Sequence, residues 1–146
     1  MASTTLSPTA DLIVAVINAL TTSETVTATR WDPGMAGFDK LPAAAVGVPT
    51  IRRVGVDQPE SQIGSRDWEI TFPVTFYIDL AEAGYAQALA VEIAEAFIKA
   101  IDTESLQSSD ASIIDAKVTE SHPAEYVDDA RPLLAYETTL ELLKLV

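Results

Sequence analysis

Alternation is the clearest pattern along this chain. Between Arg66 and Asp79 the even positions read Trp68, Ile70, Phe72, Val74, Phe76 and Ile78. The odd positions read Asp67, Glu69, Thr71, Pro73, Thr75, Tyr77 and Asp79. A period of two predicts a strand with one face buried and the other wet or against a partner. Such a strand spans about 40 Å, roughly twice the usual length. Pro73 falls in its middle and cannot donate to a ladder, which predicts a partly open edge or a bend there.

Two stretches carry the helical period instead. Leu12, Ile13, Val16, Ile17 and Leu20 share one face, and Ser7-Pro8 reads as an N-cap followed by proline at the first helical position, so a helix is predicted over 8–20. The segment 82–101 places Leu89, Ile93, Phe97 and Ile101 on a buried stripe, with Glu92, Glu95 and Lys99 opposite. Glu95 and Lys99 are spaced as an i,i+4 ion pair.

The remaining segments read as strands and connections. Residues 23–30 form a short strand with Val26 and Ala28 on one side, and 41–54 a second strand interrupted at Pro49. Residues 31–40 make a loop that contains Trp31, Met35 and Phe38, which either fold over the core or form a docking patch. A polar tip, 55–65, leads into the long strand. Residues 104–110 read as a loop, and 111–120 as a half-buried strand with Ile114, Ala116 and Val118 set against Asp115, Lys117 and Thr119. An acidic connection follows over 121–132. The last segment, 133–146, fits either period at a few positions, but its threonines and the alternation of Glu137 and Glu141 with apolar neighbours favour a strand. This order predicts one α+β domain over 1–146: a two-layer sandwich in which a mixed or antiparallel sheet of four to five strands carries two helices on one face.

Composition sharpens this in one respect, charge. Twenty-two acidic residues against nine basic ones leave a net charge of −13. Phosphate backbones attract Lys and Arg, so free nucleic acid is an unsuitable ligand. The acidity serves either solubility or a surface that must not adhere to DNA. A 48% hydrophobic fraction fits a folded domain. The run 12–20 is too short to cross a bilayer, and residues 1–11 lack the basic start of a signal peptide. Without cysteine there is no disulfide framework, thiolate metal site or cysteine nucleophile, and a cytoplasmic origin is the default.

Catalytic patterns do not stand out. His122 is the one histidine and lies in the acidic connection, where an exposed imidazole without a role is expected. Glu120, His122, Glu125, Asp128 and Asp129 supply metal-ligating atom types within ten residues, but not at a recognised spacing. No nucleophile elbow or phosphate-cradling glycine loop is present. Arg52-Arg53, the adjacent basic pair, is either solvated or salt-bridged, or else a subunit contact or DNA-facing patch. No catalytic residue, cofactor or metal is therefore expected.

From about residue 10 to the end, the succession of elements resembles the tail terminator, or tail-completion, proteins of long-tailed bacteriophages. The likeness is carried by the first helix, "LPAAAVGVP" as an early strand, a polar loop, "RDWEITFPVTFYID" entering "EAGYAQALAVEIAEAFIKAI", and the closing "RPLLAYETTLELLKLV". The resemblance implies a non-catalytic virion protein at the tail–head junction, assembled in the host cytoplasm. It implies a homo-hexameric ring that caps the tail tube, contacts the tube protein and the head-completion or neck protein, and lets DNA pass without specific binding. On this reading the subunit contact is expected to involve Arg52, Arg53, Asp57, Glu60, Arg66 and Glu69. Two other readings stand beside it: a non-viral α+β binding or scaffold module that dimerises, and a small metal- or carboxylate-dependent enzyme using the segment Glu120–Asp129.

Overall fold

The long alternating segment folds as strand β4 (Asp67–Asp79) and forms the middle of the molecule. The computed structural model describes residues 6–30, 41–53, 67–79, 83–127 and 132–145. Before β4 come α1 (Leu6–Asn18), β1 (Thr27–Arg30), β2 (Ala43–Val46) and β3 (Thr50–Arg53). After it come α2 (Ala83–Ala100), α3 (Thr103–Ser109), β5 (Ile113–Val127) and β6 (Pro132–Leu145). The strands form one mixed sheet in the order β1-β2-β4-β6-β5, with β3 beside β4 on the same side as β2. Among the described strands β1 and β2 run parallel and the other pairs antiparallel. The architecture is α+β, with helices packed on a sheet, as the residue pattern predicts.

The expected open edge on β4 is not found. Strand β6 pairs along its whole length, from Asp67 opposite Leu145 to Asp79 opposite Leu133. On the other side β3 covers Trp68–Thr71 and β2 covers Val74–Tyr77. Pro73 is accommodated by a break in its neighbour. From Val46 to Thr50 the neighbouring chain takes four steps while β4 takes three, from Val74 to Thr71, so β2 and β3 are one strand bulged opposite the proline. Gly47 N donates to Pro73 O at 2.8 Å. The N and O of a strand residue point the same way, so the missing N–H of Pro73 faces this bulge and leaves the β4–β6 ladder intact. Gly47 is needed for close approach: a Cβ there would lie 2.7 Å from Pro73 Cγ.

The even face of β4 belongs to one core with residues of all three helices. Ile70, Phe72, Val74, Phe76 and Ile78 are buried together with Ala10, Ile13 and Ile17 of α1, Leu89, Ile93 and Phe97 of α2, and Leu106 of α3. The Phe76 and Phe97 rings meet edge to face with centroids 5.4 Å apart, a geometry that contributes about 0.5–1.5 kcal/mol beyond area burial. Helix α1 starts at Leu6, so Pro8 sits within the first turn, where a missing N–H costs little because those donors lack intrahelical partners. At its other end Asn18 Oδ1 accepts from Ala28 N at 2.9 Å, tying α1 to β1.

Three further expectations are corrected. Residues 104–110 are not a loop: α3 forms over Thr103–Ser109, capped by Asp102, which accepts from Glu104 N at 3.3 Å, and anchored by buried Leu106. The acidic connection is in large part strand, because β5 continues to Val127. With β2 and β3 counted as the one interrupted strand the sheet has the five strands predicted, and among the described residues the helices number three rather than two. Strand β5 is bulged near Ile114 and Thr119, where its register against β6 slips. The first slip buries Ile113 and leaves Ile114 exposed, the reverse of the predicted alternation.

A buried charge joins the chain's distant parts at one end of this core. Lys144 of β6 donates to Thr9 Oγ1 of α1 at 2.6 Å and lies 3.0 Å from Asp110 Oδ2, just past α3. Burial works to raise the pKa of Asp110, but hydrogen bonds from Ser112 and Lys144, and the Lys144 charge, outweigh it and hold the carboxyl below its usual value. Ser112 donates to Asp110 Oδ1 through both its backbone N, at 3.0 Å, and its hydroxyl.

Candidate subunit interface

All helices lie on one face, and no described element covers the other. Period two decides what that face carries. On β4 it shows Glu69, Thr71, Pro73 and Thr75, on β6 Glu137, Thr139, Glu141 and Leu143, and on β5 Asp115, Lys117, Glu120 and His122. Arg52 of β3 sits opposite Glu69. Carboxylates therefore outnumber cations here as they do in the whole chain.

Tyr77 is the exception on this face and corrects its predicted exposure. Its neighbours in register are Ala43 on one side and Ala135 on the other. The ring is buried among these, Ala45 and Leu41, as a second, small apolar cluster. Alanine on both flanking strands leaves room for a large side chain to be covered.

At the β3 end the charges are interleaved. Arg52 Nη2 lies 3.1 Å from Glu69 Oε2, and Glu69 lines a shallow concavity of about 200 Å³ with Asp115, Lys117, Glu141 and Leu143. Its walls come from three adjacent strands, which explains why opposite charges far apart in sequence meet there. The far half of β5 and β6 carries a different group. His122 Nδ1 lies 3.3 Å from Glu120 Oε1, and Nε2 lies 3.0 Å from Glu137 Oε2, the residue directly across the ladder. The imidazole is thus on a strand, not in a loop, and bridges two carboxylates.

Of the residues expected at a subunit contact, the structure brings Arg52 and Glu69 together as an ion pair within one chain. Arg53 is in β3 opposite Trp68. Asp57, Glu60 and Arg66 lie outside the described residues, as do Trp31, Met35 and Phe38. Glu120, His122 and Glu125 are strand residues, Asp128 and Asp129 fall outside the described set, and among the described residues no group of three or more metal-ligating side chains is gathered. Glu137 was missed as a partner of His122, because the cross-strand register that pairs them is not written in either segment.

The sheet edges differ in how they are closed. At β5 the Thr103 hydroxyl takes the place of a strand: Ala116 N donates to it at 3.1 Å, and it donates to Ala116 O at 3.3 Å. The Thr119 bulge and Pro123 follow along the same strand, and both blunt further pairing. Strand β3 has no described partner on its outer side, away from β4, and Val48 just before it and Ile51 within it are exposed.

No family model matches this chain, and no curated protein is significantly similar to it. No helix among the described residues is long and apolar enough to cross a membrane.

Proposed function

We propose that this protein is a structural assembly subunit of the tail terminator kind. It closes into a homo-hexameric ring on a phage tail tube, meets the head-completion or neck protein on its other side, and performs no catalysis. The ring belongs to the virion at the tail–head junction, and its acidity keeps passing DNA from adhering. The reading is supported most by the shape of the sheet. Strands β4, β5 and β6, of 13, 15 and 14 residues, present a charged face about 40 Å long that no described helix covers. Surface of that extent, with a different chemistry at each edge, suits the heterologous contact that a closed ring requires.

Net charge makes ring closure conditional. Each copy carries −13, so copies repel until concentration or a divalent cation offsets the repulsion. Light scattering over a concentration and Mg²⁺ series is expected to show a monomer when dilute and a hexamer when concentrated or supplied with Mg²⁺. A fixed dimer throughout would refute the ring.

A further inference from the structure

We propose that neighbouring copies of this chain meet head to tail, the β3 edge of one docking its Arg52 side chain against the Glu120–His122–Glu137 cluster at the β5 edge of the next. The inference rests on the ring reading and names its contact. Two surfaces of different chemistry sit on opposite edges of one sheet. At the first, Val48 and Ile51 are 73% and 49% exposed, and the Arg52 side chain remains 76% exposed although it pairs with Glu69. A guanidinium has donors left over after one such contact. At the second, Glu120 and Glu137 are more than half exposed, and among the described residues their one ion-pair partner is His122.

Charge decides the choice of occupant. The chain has nine basic residues against 22 acidic, so its cations are the scarce component of any self-contact. Arg52 on edge strand β3, and Glu120 on edge strand β5 with Glu137 beside it on β6, lie on the same open face toward opposite sides of the sheet, which presents them to adjacent copies rather than to each other. The contact is made by side chains, not by extending the ladder. The Thr103 clasp, the Thr119 bulge and Pro123 leave β5 poorly suited to pairing with another strand. Unlike patches meeting in one rotational sense are what a cyclic assembly needs.

Sedimentation velocity on the full chain tests this with charge reversals in the presence of Mg²⁺. Arg52→Glu alone, and Glu120→Lys with Glu137→Lys, are each expected to weaken self-association about tenfold or more. Mixing the two variants is expected to restore it, because each reversed edge then meets a reversed edge of opposite sign. His122 is the one histidine, so its imidazole NMR signals report the contact directly and should shift on association of the parent and of the mixture. Circular dichroism checks that each variant folds; if Arg52→Glu is disturbed by Glu69, Arg52→Gln replaces it. Parent and variants that associate alike, or a mixture that fails to recover, would overturn this contact while leaving the ring intact. A parent that stays monomeric at every concentration overturns both.

Discussion

Asp110→Asn removes one charge and almost nothing else, which makes it the sharpest probe of how this core tolerates Lys144. The amide oxygen can still accept from Ser112, but the ammonium of Lys144, 7% exposed, loses the carboxylate that lies 3.0 Å from it. Stranding a fully buried charge costs about 3–5 kcal/mol. Asp110 is a quarter exposed, so the pair is partly solvated and the lower part of that range applies, about 2–3 kcal/mol. For a chain of this size each kcal/mol moves Tm by about 2–4 °C, so a fall of about 5–10 °C is expected at neutral pH. Lys144→Met removes the more deeply buried charge instead and keeps the volume, while Asp110 stays partly solvated and bonded to Ser112, so it should cost less than Asp110→Asn, about 1–2 kcal/mol. Because the Asp110 pKa is lowered on folding, its contribution is fully present above the unfolded-state value and is lost as pH falls through the folded one. The penalty of Asp110→Asn should therefore be constant above about pH 5 and vanish in acid below the ordinary carboxyl value. Urea unfolding of both variants at a series of pH values measures this. If Lys144→Met proves the more damaging substitution, or the Asp110→Asn penalty persists in acid, the ion pair is not what stabilises this end of the core.

Two other outcomes follow from the strand at the centre. Phe72→Ala empties a fully buried site and should cost about 3–5 kcal/mol, leaving little soluble protein, whereas Glu69→Lys on the open face should cost under about 1 kcal/mol; chemical denaturation of both would show reversed faces if the order were inverted. Gly47→Ala places a methyl 2.7 Å from the rigid Pro73 ring and should cost about 1–3 kcal/mol, with recovery in the double variant Gly47→Ala/Pro73→Ala; an undisturbed single variant would mean the bulge opens freely.

Periodicity alone determined the elements with a single buried face. Phe72 and Phe76 on β4, and Leu89, Ile93 and Phe97 on α2, are buried as their spacing predicts, and the ambiguous last segment is the strand β6. A half-buried element writes its orientation into adjacent residues, so local reading suffices there. What escaped that reading depends on partners remote in sequence. The bulges in β5 shift its alternation, so residues past Thr119 lose the period that marks a strand, and pairing with β6 supplies what the pattern does not. Pro73 on a central strand is intelligible only once Gly47 and the break between β2 and β3 are beside it. Helix α3 is polar at nearly every position and is held by one buried leucine and a clasp to Ala116, neither of which stands out in seven residues. The contacts of Arg52 with Glu69 and of His122 with Glu137 likewise came from register, because the sheet, and not the local sequence, chooses which side chains stand opposite one another.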